Sequence, residues 1–495
     1  MPALVVTAHV APLKTGKPSL QYGIFRYCET TPRQPGQDMR RTPVLPLLLI
    51  LAAVAPLAGQ TRDRARIAAA VDSIVADALK DGRAAGMSVA LVRGRDTLVM
   101  KGYGFADLEF DVATPPAAIY EIGSVTKQFT AAAVLLLQEQ GKLSLEDELT
   151  KYLPDYPTQG RRITIRRLLD HTSGIKGYTE MPEFGELMVR KLPRDTLVRL
   201  IGAKPFEFEP GDGAIYNNSA YFLLGLVIEK AGGVKYEDFI QTHLFDRAGM
   251  KNSRYCSERA VIKNRAHGYD MGPDRRLVRA AYLDHTWPYA GGSICSTVGD
   301  LIAWNHALHG GLLLSSASYQ ELITPGTLND GTVLRYAKGL GVDSLLGRRV
   351  IAHGGGINGF LSDLRYFPDD TLHIAVLVNT AGPVAPRAIA MSIARIVLGP
   401  GPATASTAFT GSPDELTGTF RGPARGGEAT VTIAKDSTGA LTWKFRNAPP
   451  ARLLHFGNSR FGVGNTRITF VRESGRVTRV RADFGAGFST FTRVP

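Results

Sequence analysis

The sequence predicts an α+β fold: an α/β sandwich whose antiparallel sheet is flanked by helices and interrupted by an inserted helical lobe. A small all-β, barrel-like domain follows it. Three observations predict this. Strand-like runs stand at both ends of residues 61–400, with a long stretch of helix and loop between them. A segment rich in Gly, Pro, Ala, Ser and Thr then runs from Gly399 to Pro413 and reads as a linker. Beyond it come about eight short strand-like runs separated by Gly, Asn and Pro turns, the spacing of a closed antiparallel barrel.

Each element follows from its residue pattern. Thr61 to Asp81 carries Ile67, Val71, Ile74, Val75 and Leu79 at helical spacing. Met87–Val92 and Thr97–Phe105 read as strands joined by the tight polar turn Arg93-Gly94-Arg95-Asp96. From Ser124 the pattern turns helical and stops at Gly141. Its centre, Ala131 to Leu137, is apolar all round and should be buried on most sides. Residues 145–290 hold helical runs at Ile165–His171, Ala220–Lys230 and Tyr236–Phe245. Thr297 with Asp300 is a capping box opening a helix through Trp304 to Leu308. Val350–His353, Phe360–Phe367 and Leu372–Asn379 read as strands, and Arg387–Leu398 as a closing helix. The last strands are Leu416–Phe420, Glu428–Ile433, Leu441–Phe445, Ala451–His455, Arg460–Val463, Arg467–Arg472, Val477–Ala482 and Phe488–Val494.

The chain has 495 residues, 44% hydrophobic and 21% charged, as a folded globular protein does. Its net charge of +13 is uneven: residues 411–495 contribute +7, and residues 61–410 only +2. With no nucleic-acid-binding motif in sight, a DNA or RNA partner is not expected. The basic C-terminal domain reads as a solvated surface, at most in weak contact with an anionic cell envelope. Met39-Arg40-Arg41 followed by Leu47-Leu48-Leu49-Ile50-Leu51 has the charged start and short apolar run of a secretory signal. That run is too short for a membrane anchor. The expected organisation is therefore an upstream extension at 1–38 and a signal peptide at 39–60. A main domain at 61–400, a linker at 401–413 and the barrel at 414–495 complete it. The protein is expected to be periplasmic or secreted. Past the leader only Cys256 and Cys295 remain. They read as small buried hydrophobes, with a single bridge between them as the alternative that secretion permits.

The chemistry is concentrated in three short motifs. Ser124-Val125-Thr126-Lys127 places a hydroxyl and an amine three residues apart at the start of the apolar helix, on one helix face. A serine hydroxyl becomes a useful nucleophile when a neighbour takes its proton. Tyr216-Asn217-Asn218 stands just before the helix at 220–230, so a phenol and a carboxamide can face one cavity. His353-Gly354-Gly355-Gly356 ends a strand, and its glycines let backbone N–H groups approach a substrate, as an oxyanion hole requires. His171 reads as a loop-holding residue. His306 and His309 lie three apart on a helix without a third ligand and read as ordinary helix residues. The glycine run is no phosphate loop, and neither a Gly-x-Ser-x-Gly elbow nor a His-Glu-x-x-His zinc helix occurs.

Serine-x-x-lysine, tyrosine-x-asparagine and histidine-x-glycine in this order resemble the penicillin-recognising serine hydrolases. The branch is similar to the class C β-lactamases and D-alanyl-D-alanine carboxypeptidase-like enzymes, with their related esterases and D-aminopeptidases. Glu121-Ile122-Gly123, the run Leu168 to Ile175, Ala290-Gly291-Gly292, Ser296-Thr297 and Asp300-Leu301 extend the resemblance over roughly residues 65–400. It implies the β-lactamase/transpeptidase-like fold and an exported serine hydrolase. The implied substrates are D-amino-acid peptides, small esters or amides, or β-lactams, handled without metal or other cofactor. Ser124 is then the acylated nucleophile, and Lys127 and Tyr216 share the general-base work. Tyr216 is the expected proton acceptor where nearby cations lower its pKa. Asn218, His353 and Gly355 contact the substrate, and the N–H groups of Ser124 and Gly356 form the oxyanion hole. The β-lactamases of this group carry lysine where this chain has His353. That shifts the expectation towards a peptidase or esterase in which His353 donates a hydrogen bond. The alternative is a catalytically weak penicillin- or peptide-binding scaffold of the same fold.

Overall fold

The computed structural model describes residues 51–402 and 406–495, with side chains from Arg62 onward. The extension read at 1–38 lies outside the described residues, and the leader read at 39–60 enters them only as backbone from Leu51. Helix α1 (Leu51–Leu79) leads into strands β1 (Gly86–Arg93), β2 (Asp96–Asp107) and β3 (Val112–Ala113). The remaining strands of this sheet come from far along the chain: β4 (Gly341–Leu345), β5 (Arg348–Ile357), β6 (Phe360–Phe367) and β7 (Leu372–Val378). Their order is β3-β2-β1-β7-β6-β5-β4, and β1 pairs with β7 antiparallel, Met87 opposite Val378 and Leu91 opposite Ile374. All seven residues of β7 are buried, because helices cover both faces of the sheet. Val89, Leu91, Ile374 and Val376 pack on one side against Ile67, Val71 and Val75 of α1 and against Ile389 and Ile393 of the closing helix (Pro386–Leu398). The alternating residues Ala90, Val92, Ala375 and Leu377 face the opposite core.

That second core is the inserted lobe, and it carries the site. Helix α2 (Thr126–Glu139) follows a short turn, Gly123–Val125, and buries every residue from Thr126 to Leu137. Helix α3 (Asn218–Gly232) is capped by Asn217, whose Oδ1 accepts from Ala220 N at 2.9 Å, and ends on Gly233 at φ 73°. Helix α4 (Val298–His309) starts at Thr297, whose Oγ1 accepts from Asp300 N at 3.1 Å. The box is only half formed. The Asp300 carboxylate turns to Asn252 N and Ser253 Oγ, 2.7 and 2.8 Å away, and so ties down the loop at 252–253 instead.

Two expectations change. Cys256 and Cys295 are buried, but they are joined in a disulfide rather than left as free thiols. The bridge fastens the strand Ile294–Ser296, whose Cys295 lies opposite Glu121 just ahead of Ser124. The C-terminal sheet has nine strands rather than about eight: β8 (Gly418–Ala424), β9 (Gly427–Lys435), β10 (Leu441–Phe445), β11 (Ala451–Arg452), β12 (Leu454–His455), β13 (Arg460–Val463), β14 (Thr466–Glu473), β15 (Arg476–Asp483) and β16 (Phe488–Arg493). The run at 451–455 breaks because Leu453 turns inward and its N–H bonds Leu441 O. The sheet, ordered β11-β10-β9-β8-β16-β15-β14-β13-β12, is a nearly closed barrel around Phe420, Val431, Ile433, Ile468, Val480 and Phe491. Ala214 and Phe488 exchange both backbone hydrogen bonds (3.0 and 2.7 Å), and Arg335 bonds Asp483 and Asp343 at 2.8 and 2.9 Å. Backbone and charge together thus fix the barrel beside the helical lobe.

Candidate active site

Three elements converge on Ser124. Ile122, just before it, donates its N–H to Ile294 O at 3.0 Å and accepts at its carbonyl from Ser362 Oγ of β6 at 2.8 Å. The first turn of α2 therefore cannot drift from the sheet. A Cβ on Gly355 would lie 2.0 Å from Ile122 O, and one on Gly123 2.9 Å from the Gly356 backbone. Glycine is required at both places because strand β5 and the start of α2 touch main chain to main chain. The contact brings Ser124 and Gly356 to one wall of a cleft of about 1040 Å³, whose lining also includes Tyr216, Asn218, His353 and Gly355.

Lys127 lies beneath this wall, fully buried. Its Nζ is 3.0 Å from Ser124 Oγ, 2.8 Å from Asn218 Oδ1 and 2.8 Å from Gly291 O. Burial drives the pKa of this amine well below its usual value, and the Arg425 guanidinium adds to the effect against the opposing Glu180 charge. A neutral amine in this place donates its two hydrogens to Asn218 and Gly291. Its lone pair is then left for the Ser124 hydroxyl. Asn218 Nδ2 donates to Thr179 Oγ1 at 3.2 Å and keeps its second N–H for a ligand.

Tyr216 departs from expectation. Arg425 Cζ stands 5.4 Å from its ring centroid, so a cation is in place, and the Lys127 amine lies 4.8 Å from the same centroid. Burial nevertheless outweighs the Ser124 hydroxyl and the Arg425 charge and raises the phenol above its ordinary pKa, which keeps it protonated. Its Oη faces Ser124 but meets no partner in hydrogen-bond geometry among the described residues. Of the two groups, Lys127 is the one within hydrogen-bond distance of Ser124 Oγ.

His353 is also corrected. Its Nδ1 lies 2.6 Å from Gly354 O and its Nε2 3.0 Å from Tyr336 Oη. Burial above all pushes its pKa down to about 3. A neutral ring donates from Nδ1 to the carbonyl and accepts at Nε2 from the phenol. No N–H is left for a substrate, so His353 shapes the strand end. Tyr336, which the sequence reading overlooked, is the residue that holds it.

A Beta-lactamase family model matches residues 71–398. The chain belongs to the β-lactamase family. Among its relatives is penicillin-binding protein 4* of Bacillus subtilis (strain 168), 31% identical over a 310-residue alignment that covers 59% of this chain and 67% of that one. A D-stereospecific amidohydrolase from Streptomyces sp. is 26% identical, with a TM-score of 0.58 over 67% of this chain and 98% of its own. The octameric penicillin-binding protein homologue of Pyrococcus abyssi, at 23% identity, shares the fold with a TM-score of 0.60 over 85% of this chain and 99% of that one. This is a family of serine hydrolases.

The remaining histidines are engaged within the fold. His171, at φ 64°, accepts from Asn217 N at 3.2 Å through Nδ1, and its carbonyl accepts from Ile215 N, so it holds the Tyr216 loop as expected. His306 Nε2 contacts Gly94 O and His309 Nδ1 contacts Tyr319 Oη, both at 2.8 Å, which engages both rings within the fold. Among the described residues one group, Glu121, Glu258 and His285, has metal-ligand types within 4.8 Å of one another. Arg265 Nη2 already lies 2.9 and 3.0 Å from the two carboxylates and fills the cation's place. Burial disfavours a charged His285, but Glu121 and Glu258 prevail and raise its pKa to about 9. The group is an ion-pair network behind the nucleophile's strand.

Proposed function

We propose that this protein is a serine hydrolase that forms an acyl enzyme on Ser124. Its substrates on this reading are D-amino-acid peptides and small amides or esters, with β-lactams as further acylating agents. The observation that carries the reading is the triple coordination of the buried Lys127 amine, with one of its three contacts on Ser124 Oγ. The names of the Bacillus subtilis relative and the Streptomyces amidohydrolase support the substrate class. The protein acts outside the cytoplasm, in the periplasm or secreted, on the evidence of the leader read at 39–60.

In the first step Lys127 Nζ takes the hydroxyl proton as Ser124 Oγ attacks the scissile carbonyl carbon. The tetrahedral oxygen is met by the N–H groups of Ser124 and Gly356. Asn218 Nδ2 orients the substrate amide. The protonated Tyr216 phenol gives its proton to the leaving nitrogen and regains one from Lys127, so the carbon–nitrogen bond breaks with the leaving group neutral. A water then attacks the acyl carbon and gives a proton to Lys127, which passes it to Ser124 Oγ as the acyl carbon–Oγ bond breaks, so the acid is released and both side chains are restored. The test is hydrolysis of a D-configured dipeptide or amide, its L-enantiomer and a penicillin, by wild type and Ser124→Ala. The account expects a preference for the D-form that vanishes in Ser124→Ala. Turnover retained in Ser124→Ala would refute it.

A further inference from the structure

The third motif holds no cation, since the His353 ring is neutral and internally bonded, and Lys127 is committed to the nucleophile. Another element brings a cation to the same wall. Strands β8 and β9 are joined by the two-residue turn Arg425-Gly426, with Ala424 opposite Gly427 and Gly426 at φ 84°, a conformation suited to glycine. The turn is rigid because Arg446 Nη2, from the end of β10, donates to Arg425 O at 2.7 Å and Gly427 O at 3.2 Å. Its tip enters the cleft that holds Ser124. Arg425 Nε donates to Glu180 Oε1 at 2.6 Å, and Nη2 reaches Thr179 Oγ1 at 3.4 Å. Thr179 is also the partner of Asn218 Nδ2. The guanidinium therefore sits one side chain away from the substrate-orienting amide, with its Cζ 5.4 Å from the Tyr216 ring centroid. The side chain is 51% exposed, whereas its partner Glu180 is 11% exposed, so the arginine is the member of the pair open to a ligand. Its Nη1 makes no hydrogen bond among the described residues.

We infer that Arg425, delivered by the C-terminal barrel, is the specificity-determining cation of this cleft and binds the free C-terminal carboxylate of a peptide substrate. A planar guanidinium with Nε and Nη2 pinned presents its remaining N–H groups in a fixed direction, suited to a carboxylate. One residue beyond the scissile bond spans about 3.5 Å of chain, which suits a cation placed beside Asn218 and Tyr216 rather than at Ser124 itself. The barrel is on this view part of the substrate site, and the substrate class narrows from amides in general to peptide acids.

The inference rests on the acyl-serine reading, and the test separates the two. An N-acyl-D-alanyl-D-alanine acid and its C-terminal carboxamide are compared as kcat/KM for wild type, Arg425→Gln and Arg425→Lys. A neutral activated ester reports Ser124 acylation in all three. Wild type should prefer the acid. Arg425→Gln should lower the acid-to-amide ratio by roughly 10- to 100-fold, the worth of a charge-assisted hydrogen bond. Arg425→Lys should recover part of that ratio. A ratio unchanged within about threefold in Arg425→Gln, or a wild type that prefers the carboxamide, overturns the inference and leaves the serine mechanism standing. A free D-amino-acid amide preferred over both, with that preference lost in Glu180→Gln, assigns the pair to a substrate ammonium and also overturns it. Ester acylation absent from wild type removes the mechanism and the inference together. Should Arg425→Gln prove poorly folded by thermal melt, the Arg425→Lys ratio decides.

Discussion

Replacing Lys127 with methionine separates the amine from the stem that carries it. The methionine keeps an apolar stem out to Cε among the buried residues of α2, with sulfur in place of Cδ, and lacks Nζ. Two consequences follow from the three contacts of that nitrogen. Ser124 loses its base, so acylation should fall by about 10²- to 10⁴-fold, the usual worth of a positioned proton acceptor. Asn218 Oδ1 and Gly291 O lose their donor. Each orphaned buried acceptor costs about 1–3 kcal/mol, so the loss of stability is roughly 2–6 kcal/mol, less whatever relief comes from no longer burying an amine. Ser124→Ala, by contrast, removes one hydrogen bond at the cleft wall and should change stability by about 1 kcal/mol or less. The assays are stopped-flow acylation by an activated ester and urea unfolding of both variants. In wild type the acylation rate should climb with pH as Lys127 loses its proton and level off well below pH 10.5, the ordinary lysine value, because burial has depressed the pKa. Folded Lys127→Met acylating within about tenfold of wild type would refute the reasoning. Recovery of Lys127→Met at high pH would also refute it, by transferring the base role to the Tyr216 phenol.

Other outcomes follow from the same geometry. Tyr216→Phe should slow amide hydrolysis by about 10²-fold while changing p-nitrophenyl ester hydrolysis only a few-fold, because an activated phenolate leaves without a proton; equal losses on both substrates would contradict the leaving-group role. Tyr336→Phe leaves the buried His353 Nε2 without its donor. It should cost about 1–3 kcal/mol in unfolding free energy and lower kcat more than it raises KM, and a silent Tyr336→Phe would remove His353 from the supporting frame. His285 is held at about 9 in the folded protein against an ordinary value of 6.5. Its contribution, on the order of 2–3 kcal/mol, is therefore fully present below pH 6.5 and lost as pH rises through 9. Melting temperature should fall across that window in wild type and stay flatter in His285→Gln. Identical curves would contradict a charged His285.

What was legible in the chain was whatever a short window of residues determines. The turn at 93–96 and its two strands follow from apolar runs on either side of Gly94, and α2 from an all-apolar heptad that only an interior can hold. The Ser124–Lys127 contact follows from helix geometry, since residues three apart share a face. Strand β4 was missed because Gly-Val-Asp-Ser-Leu has no alternation of its own, and its pairing is supplied by β5. The pKa of Tyr216 was not legible because a nearby cation is foreseeable in kind, but the desolvation that outweighs it comes from packing against His171 and Tyr336. Tyr336 and Arg425 belong to no motif. Their contacts join residues 17 and 245 apart, and only the folded sheet and barrel bring them to the cleft. The disulfide between Cys256 and Cys295 was open for the same reason, because two cysteines fix no geometry until strands at 254–255 and 294–296 pair.

The central claim, an acyl-serine mechanism at Ser124 driven by Lys127, is tested most directly by intact-protein mass. Wild type, Ser124→Ala and Lys127→Met would be mixed with a penicillin and, separately, with an activated ester, and followed over time. The account predicts an increment equal to the acyl group in wild type, none in Ser124→Ala, and one that forms far more slowly in Lys127→Met. An increment that persists in Ser124→Ala, or a wild type that neither reagent labels, would contradict it.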